Sequence, residues 1–318
     1  MRNPRVVALG GGHGLAATLS SLRALTHDIT AIVTVADNGG SSGRLRDEFN
    51  IYPPGDLRMA LAALCADDEW GRSWAEIIQY RFTSDGPLNN HALGNLLLAA
   101  LWDKDEDPVR GLEKVGDLLK VVGRVLPMAD VPLDIEATFA DEHGEKIVRG
   151  QVQVATTHGR LKSLRIIPEA PQALPQALSA LDSADYITLG PGSWFSSLLP
   201  HVLVPEQRAA IAASKAKKIL LVNLDASSHP SQTHHGELAG YSPQEHVQLF
   251  HEYAPDISLD FIVADTSVVH DEKALSTLAR EYGGELILAD LRSGDRSVHH
   301  DRKKLTSLFA HIFDKTLV

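Results

Sequence analysis

Short apolar runs that alternate with helix-forming segments constrain the fold of this chain more than any other feature. An apolar run at 5–9 is followed by a helical pattern at about 15–25 and a second apolar run at 29–36. The second half of the chain repeats this rhythm, with apolar runs at 186–189, 219–224, 261–264 and 286–289. Apolar runs of this length are typical of strands that are buried on both faces. The pattern predicts an α/β fold with a mostly parallel sheet.

The middle of the chain has a different pattern. Residues 133–140 and 147–155 alternate apolar and polar side chains around a short turn, which predicts an antiparallel hairpin. Residues 161–167 are a candidate third strand. We therefore expect a single domain over residues 1–318, with a small antiparallel β-rich insertion at about 125–168.

One helix start carries three independent signals. Ser242 is a residue type that caps helices, Pro243 occupies the first helical position, and Glu245 stands three residues after the cap. This arrangement is typical of a capping box. It predicts a helix that begins directly after Ser242.

Composition narrows the possible classes of protein. The 318 residues carry 41 acidic and 30 basic side chains, a formal net charge of −11, with 44% hydrophobic and 22% charged residues. A globular protein is expected, and the acidic balance without a dense Lys/Arg stripe argues against nucleic acid as a partner.

The longest charge-free stretch, 186–205, is interrupted by glycines and prolines, so no membrane insertion is expected. The single cysteine, Cys65, excludes an internal disulfide and favours a reducing, cytoplasmic location.

A glycine-rich loop joins the first predicted strand to the first predicted helix. It reads Gly-Gly-Gly-His-Gly over residues 10–14, and its candidate ligand contacts are Gly11, Gly12 and His13. Backbone N–H groups and the helix dipole converge at such a place, so a phosphate is expected to bind there. The alternative is a tight turn that only needs glycine. The pattern matches neither the dinucleotide fingerprint, because residue 15 is leucine, nor a Walker A loop.

A second polar loop follows the second predicted strand. Ligands of open α/β sheets bind at such strand ends, and the candidate contacts in this loop are Asp37, Asn38, Gly40, Ser41, Ser42 and Arg44. Asp37 is also the candidate catalytic residue, as a group that orients a hydroxyl or a metal ion. The alternatives are a solvated glycine turn and, because residues 39–43 match G-x-S-x-G, a hydrolase with Ser41 as nucleophile.

Two helix starts carry further candidates. Asp56 and Arg58 follow a Pro-Pro-Gly sequence, where Asp56 is either a helix cap or a functional carboxylate. Asn90, His91 and Asn95 form an unusual cluster of amides and an imidazole at the start of an apolar stretch. Amides recognise bases and sugars, although a structural role for His91 is the alternative.

Three later segments complete the candidate set. Gly192 and Ser193 lie in a third glycine-rich loop after a buried strand, and Asn223 ends the next strand. The histidines at 229, 234 and 235 lack a metal-ligand spacing and favour a solvated loop. The His-His-Asp sequence at 299–301 either reaches the site or caps the last helix.

These motifs together resemble the bacterial gluconeogenesis-factor family, which is related to 2-phospho-L-lactate transferase. The resemblance rests on GGGHGL at 10–15, DNGGSSGRLR at 37–46, GDLR at 55–58, HALGNL at 91–96, GPGSWFSSLLP at 190–200 and HD at 300–301. The motifs occur in the order of the family over nearly the whole chain. The chain departs from the family at 225–233, where many members have a PGET-like segment.

The resemblance implies a Rossmann-like three-layer fold with a nucleotide or nucleotide-sugar across the strand ends. It implies that Gly11, Gly12 and His13 contact a diphosphate, and that Asp37 faces a hydroxyl or a metal. It also implies polar, phosphate or sugar contacts from Ser41, Ser42, Arg44, Asn90, Asn95, Gly192 and Ser193.

Three functions remain open at this point. The first is a UDP-sugar-binding regulatory protein that links carbon metabolism to cell-wall and cell-shape homeostasis. The second is a magnesium-dependent transferase that acts on a nucleotide diphosphate-linked donor. The third is an NAD(P) oxidoreductase, which the missing third glycine argues against. A homodimer is left open as well.

Overall fold

The computed structural model describes residues 3–105, 107–142, 144–226, 241–294 and 297–316. The described strands are β1 (Val6–Gly10), β2 (Ile29–Val33), β3 (Arg124–Pro127), β4 (Asp134–Asp141), β5 (Gly144–Arg149), β6 (Arg160–Ile167), β7 (Tyr186–Leu189), β8 (Lys217–Leu221), β9 (Phe261–Asp265) and β10 (Glu285–Ala289).

The described helices surround these strands. They are α1 (Gly12–Leu22), α2 (Gly40–Phe49), α3 (Pro54–Leu64), α4 (Glu69–Gln79), α5 (Leu93–Asp105), α6 (Pro108–Leu119), α7 (Gln151–Thr156), α8 (Pro175–Ser183), a π-helical turn (Trp194–Leu198), α9 (Leu199–Leu203), α10 (Pro205–Ala213), α11 (Pro243–Tyr253), α12 (Glu272–Glu281) and α13 (Arg302–Thr316).

Seven strands form one parallel sheet in the order β10-β9-β8-β7-β1-β2-β3. Strand β1 pairs with β2 on one side and β7 on the other, so Val6 lies opposite both Ile29 and Tyr186. Every residue of β1, β2, β7 and β9 is buried, as expected for a sheet covered on both faces. The predicted α/β fold with a mostly parallel sheet is confirmed.

The small antiparallel element is confirmed as a three-stranded sheet in the order β5-β4-β6. It spans 134–167, so the predicted start of the insertion at about 125 is wrong. Strand β3 begins the predicted segment but pairs in parallel with β2, because Val125 and Leu126 are buried in the main core.

A second correction concerns residues 151–155, for which a strand was predicted. They belong to α7, which begins after Gly150 at a φ of 101°. The side-chain oxygen of Asn38 accepts a hydrogen bond from the N–H of Val152 in the first turn. This contact from a distant loop stabilises the start of α7. The alternation of apolar and polar side chains at 147–155 could not predict it.

The capping box at Ser242 and Glu245 is confirmed, and α11 begins at Pro243. Among the described helices, none is long and apolar enough to cross a membrane.

One buried histidine supports the loop after β1. The ring of His201 lies fully inside the protein, where its Nδ1 accepts a hydrogen bond from the Gln207 amide and its Nε2 donates to the carbonyl oxygen of Gly10. Burial lowers the pKa of His201 to about 4. The ring is therefore neutral at physiological pH and joins α9 to the end of β1.

The low pKa of His201 predicts an acid-dependent loss of stability. The unfolded chain gains a proton near the ordinary pKa of 6.5, whereas the folded chain does so only near pH 4, so stability is lost as pH falls through this window. We expect the unfolding free energy of His201→Gln to fall less between pH 7 and pH 4, by roughly 1.4 kcal/mol per unit of pKa displacement. Urea unfolding at both pH values measures this. The control His311→Gln changes an exposed ring, and an equal acid loss in both variants would contradict the prediction.

Candidate functional site

The glycine-rich loop after β1 delivers the start of a helix to the carboxyl edge of the sheet. Gly11 is the N-cap of α1 and its cap is not closed by a side chain. The first N–H groups of a helix have no intrahelical partner, and they carry the positive end of the helix dipole. This edge is therefore suited to an anion.

The loop at 190–192 is held tightly against α1. Asn223 binds the backbone of Gly192 in both directions, since its Oδ1 accepts from the N–H at 3.1 Å and its Nδ2 donates to the carbonyl oxygen at 2.9 Å. A Cβ atom at Gly14 would lie 2.1 Å from the carbonyl oxygen of Pro191. Gly14 thus permits the close approach, and Asn223 positions the loop rather than lining the cavity.

A first cavity of about 330 Å³ lies between these two loops. Its lining residues are Gly11, Gly12, His13, Gly14, Thr34, Asp37, Asp56, Gln151, Gly192, Ser193, Ser196 and Ser197. The structure thus brings together seven of the candidates from four separate motifs, His13 and Ser193 among them, with Asp37 and Asp56 at one side. Hydroxyls, backbone N–H groups and a helix start make it suitable for phosphate oxygens.

Asp56 has the most perturbed carboxyl group of the site. It lies in the first turn of α3 and is half-buried between Gly12 and Arg58. Burial raises the pKa of Asp56 to about 7, and the negative charge of Asp37 adds to this effect. The N–H of Gly12 and the Arg58 guanidinium act in the opposite direction. Asp56 therefore exchanges a proton near neutral pH.

A second cavity of about 430 Å³ adjoins the first, and Asp37 and Asp56 line both. The lining residues of the second cavity are Asp37, Gly39, Gly40, Ser41, Ser42, Gly55, Asp56, Arg58, Met59, Arg81, Asn90 and Asn95. The two carboxylates thus separate two compartments of different character. Both contain a helix start and hydroxyls, and the second cavity also contains two guanidinium groups.

A buried hydrogen-bond network supports the second cavity. The Ser41 hydroxyl accepts hydrogen bonds from Asn95 Nδ2 at 3.0 Å and from the N–H of Ala92 at 3.4 Å, so its proton points to His91 Nδ1 at 2.9 Å. Burial and nearby guanidinium groups lower the pKa of His91, which keeps the ring a neutral acceptor. Both lone pairs of Ser41 are occupied. Ser41 and His91 are thereby fixed in a buried network that supports the wall of the second cavity.

Like Asn223 and His91, the predicted residues Arg44 and Asn38 lie outside the lining of both cavities. Arg44 is exposed and donates to the carbonyl oxygens of Pro87 and Asn89, so it holds the loop at 80–92 rather than facing a cavity. Asn38 contacts α7 through its side chain. Asn90 lines the second cavity, at a φ of 61°.

The structure describes only one of the two histidine-rich segments that the sequence analysis singled out. His299 lies near His13, with ring centroids 6.2 Å apart, so the 299–301 segment reaches the edge of the site. Asp301 also caps α13, because its Oδ1 accepts a hydrogen bond from the N–H of Lys304 at 3.0 Å. The histidines at 229, 234 and 235, and residues 227–233 of the departing segment, lie outside the described residues.

Sequence reasoning missed several lining residues. They are Thr34, Arg81, Gln151, Ser196 and Ser197. Ser196 and Ser197 directly follow the glycine-rich loop that contains Gly192 and Ser193. Their position in the sequence could therefore have identified them as candidates. Gln151 carries no local signal, because it reaches the cavity from the insertion through the docking of α7 on Asn38.

The close packing at Gly14 predicts a specific loss of stability. In Gly14→Ala, the new methyl group meets the backbone of Pro191, and overpacking of this kind costs about 1–3 kcal/mol. Urea unfolding measures the change. Gly86→Ala is the matched control because no atom lies within 4 Å of the added carbon. Equal stabilities of the two variants would contradict the packing argument.

The raised pKa of Asp56 predicts a second pH effect, of opposite sign to that of His201. Between the ordinary pKa of 3.8 and the folded value of about 7, the folded chain keeps a proton that the unfolded chain has lost. Stability therefore falls as pH rises through this window. In EDTA, Asp56→Asn should gain stability relative to wild type from pH 4 to pH 8, by roughly 1.4 kcal/mol per unit of pKa displacement. The exposed Asp85→Asn is the control, and a pH-independent difference would refute the assignment.

Comparisons with known proteins agree with this architecture. A crystal structure of a Bacillus halodurans protein superposes with a TM-score of 0.84 and 31% identity, covering 97% of this chain and 100% of that one. A Mycobacterium tuberculosis protein named "Putative gluconeogenesis factor" is 48% identical over 279 residues, 86% of this chain and 80% of the relative. The "Gluconeogenesis factor" of Listeria monocytogenes is 36% identical over 269 residues, 85% of this chain and 80% of the relative.

The family model described as 2-phospho-L-lactate transferase CofD matches residues 6–318. This range includes both cavities and every motif that lines them. The chain belongs to the 2-phospho-L-lactate transferase CofD family, and within it resembles the gluconeogenesis factors.

Proposed function

We propose that this chain is a gluconeogenesis factor that binds a UDP-sugar in the first cavity. As a cytoplasmic regulatory protein, it would couple carbon metabolism to cell-wall and cell-shape homeostasis. The supporting observation is the convergence of the α1 start and the 190–192 loop on a cavity of about 330 Å³. Pockets of this size accommodate small metabolites, and a diphosphate matches the hydrogen-bond donors at its wall.

Different walls of the first cavity would contact different parts of the ligand. The start of α1 and His13 face the diphosphate, while Ser193 and the π-helical turn border the remaining space. Thr34 donates to the carbonyl oxygen of Ser196 at 2.7 Å and ties this turn to the end of β2. A preorganised wall of this kind reduces the entropy cost of binding.

Calorimetry with UDP-sugars, UDP, GDP and NADP, each with and without Mg²⁺, tests this proposal. We expect selective binding of a UDP-sugar and at least tenfold weaker binding by His13→Ala, because a hydrogen bond to a charged group contributes about 1.5–3 kcal/mol. His27→Ala, an exposed histidine away from the cavity, is the matched control. The absence of UDP-sugar binding at millimolar concentration would refute the proposal, and selective NADP binding would support the oxidoreductase alternative.

The alternative function is a magnesium-dependent transferase that acts on a nucleotide diphosphate-linked donor. It is favoured by the position of Asp37 and Asp56 between two cavities, which provides room for a donor and an acceptor. Magnesium binds to one or two carboxylates together with substrate phosphates and water, so Asp37 fits the ion. When bound, the ion would neutralise charge on the diphosphate.

The protein's own groups have defined tasks in this alternative. The start of α1 would orient the diphosphate, and Asp37, held by the N–H of Gly39 at 2.9 Å, would orient an acceptor hydroxyl. Asp56 would take up the hydroxyl proton, since its pKa of about 7 suits a general base near neutral pH. Release of nucleotide from UDP- or GDP-linked donors with Mg²⁺ tests turnover. A rate no higher than that of Asp37→Ala would exclude catalysis with those donors.

A further inference from the structure

The second cavity contains a buried cation. Arg58 lies on α3 with only 3% of its surface exposed, and its guanidinium lines the cavity. Its aliphatic stem passes over Gly94, where an added Cβ would lie 2.8 Å from Arg58 Cδ and 2.7 Å from the carbonyl oxygen of Ile78. The start of α5 is thus shaped to admit this side chain. Such a tight fit leaves the guanidinium little freedom to turn away.

Neutral amides orient the guanidinium without compensating its charge. Nε of Arg58 donates to Asn95 Oδ1 at 2.8 Å, and Nη1 donates to Gln79 Oε1 at 3.0 Å. Among the described residues, no carboxylate lies within 4.0 Å of the group. Burial and the charge of Arg81 lower the pKa of Arg58 to about 10 against the opposing effect of Asp56, so the group remains charged at neutral pH.

Asp56 attracts the guanidinium but forms no ion pair with it, and a buried charge that is only partly compensated is costly. An anionic ligand would remove this cost, and the guanidinium group binds phosphate well because it offers several donors in one plane. The remaining nitrogen, Nη2, makes no hydrogen bond to a described residue.

The start of α2 faces the same cavity. Helix α2 has ten residues, and its N-cap Gly39 carries no side-chain cap. The N–H groups of Gly40, Ser41 and Ser42 precede the first intrahelical bond, which joins the N–H of Gly43 to the carbonyl oxygen of Gly39. Free N–H groups and the helix dipole favour an anion at this position. They act together with Arg58 on the same space.

A second guanidinium group lines the cavity from an exposed position. Arg81 is exposed, lines the cavity and donates to the carbonyl oxygen of Asn90. The cavity therefore combines one buried cation, one exposed cation and a helix start within about 430 Å³.

We propose that the second cavity binds the phosphoryl group of a small phosphorylated metabolite, next to the nucleotide ligand in the first cavity. Arg58 and the start of α2 hold the phosphoryl oxygens, and Arg81 closes the open side. This inference rests on the proposed function only for the identity of the ligand in the first cavity. The second site is defined by its own residues and adds a second ligand class to the protein.

Inorganic phosphate is the probe for this site, titrated by calorimetry in the presence of saturating UDP so that the first cavity is filled. We expect binding in wild type, with affinity at least tenfold weaker in Arg81→Gln and Arg58→Gln. Phosphate affinity should fall at least fivefold more than UDP affinity in both variants. Arg72→Gln is the matched control, since it removes the same charge from an exposed position on α4 outside both cavities.

Arg81→Gln keeps the test decisive if Arg58→Gln fails to fold, because Arg81 is exposed. The inference would be overturned if both variants bound phosphate as tightly as Arg72→Gln does. If Arg58→Gln does not fold, the same result in Arg81→Gln alone would overturn it. If UDP does not bind, the titration is repeated without it in the His13→Ala background. Phosphate binding that still depends on Arg81 would then support the second site although the proposed function had failed.

Discussion

The parallel pairing of β1 with both β2 and β7 is the constraint on which the site depends. These strands are far apart in the chain, yet their register places Gly10 beside Val33 and Leu9 beside Leu189. The loops that follow all three strands therefore emerge at one edge of the sheet. Because β1 is buried on both sides, this pairing cannot slip without exposing core residues. The first cavity is a direct consequence of this register.

Interactions behind the sheet edge give the loops their precise positions. His201 binds the carbonyl oxygen of Gly10, Thr34 binds that of Ser196, and Asn223 binds the backbone of Gly192. Each contact uses a neutral donor, which leaves the electrostatic character of the cavity to the helix start and the two carboxylates. The wall thus remains rigid while Asp56 retains a pKa near neutrality. Structural and chemical tasks are divided between different residues.

Local sequence patterns predicted the strands, the glycine loops and the capping box at Ser242, because burial, turn geometry and capping depend on near neighbours along the chain. They failed at α7, whose first turn is stabilised by Asn38 from more than 100 residues away. Local patterns also did not distinguish Arg44 from Arg58. Both follow glycines in polar motifs, yet one holds a surface loop and the other is buried in a cavity.

The order of apolar runs determined the α/β class and placed glycine-rich loops at strand ends, since hydrophobic periodicity and glycine content are properties of the chain itself. The tertiary structure alone decided that Asp37 and Asp56 meet between two cavities and that Ser41 has no free lone pair. It also decided that Arg58 is charged and buried without a salt bridge to any described carboxylate. These properties depend on distance and burial between segments that are remote in sequence, which no local pattern encodes.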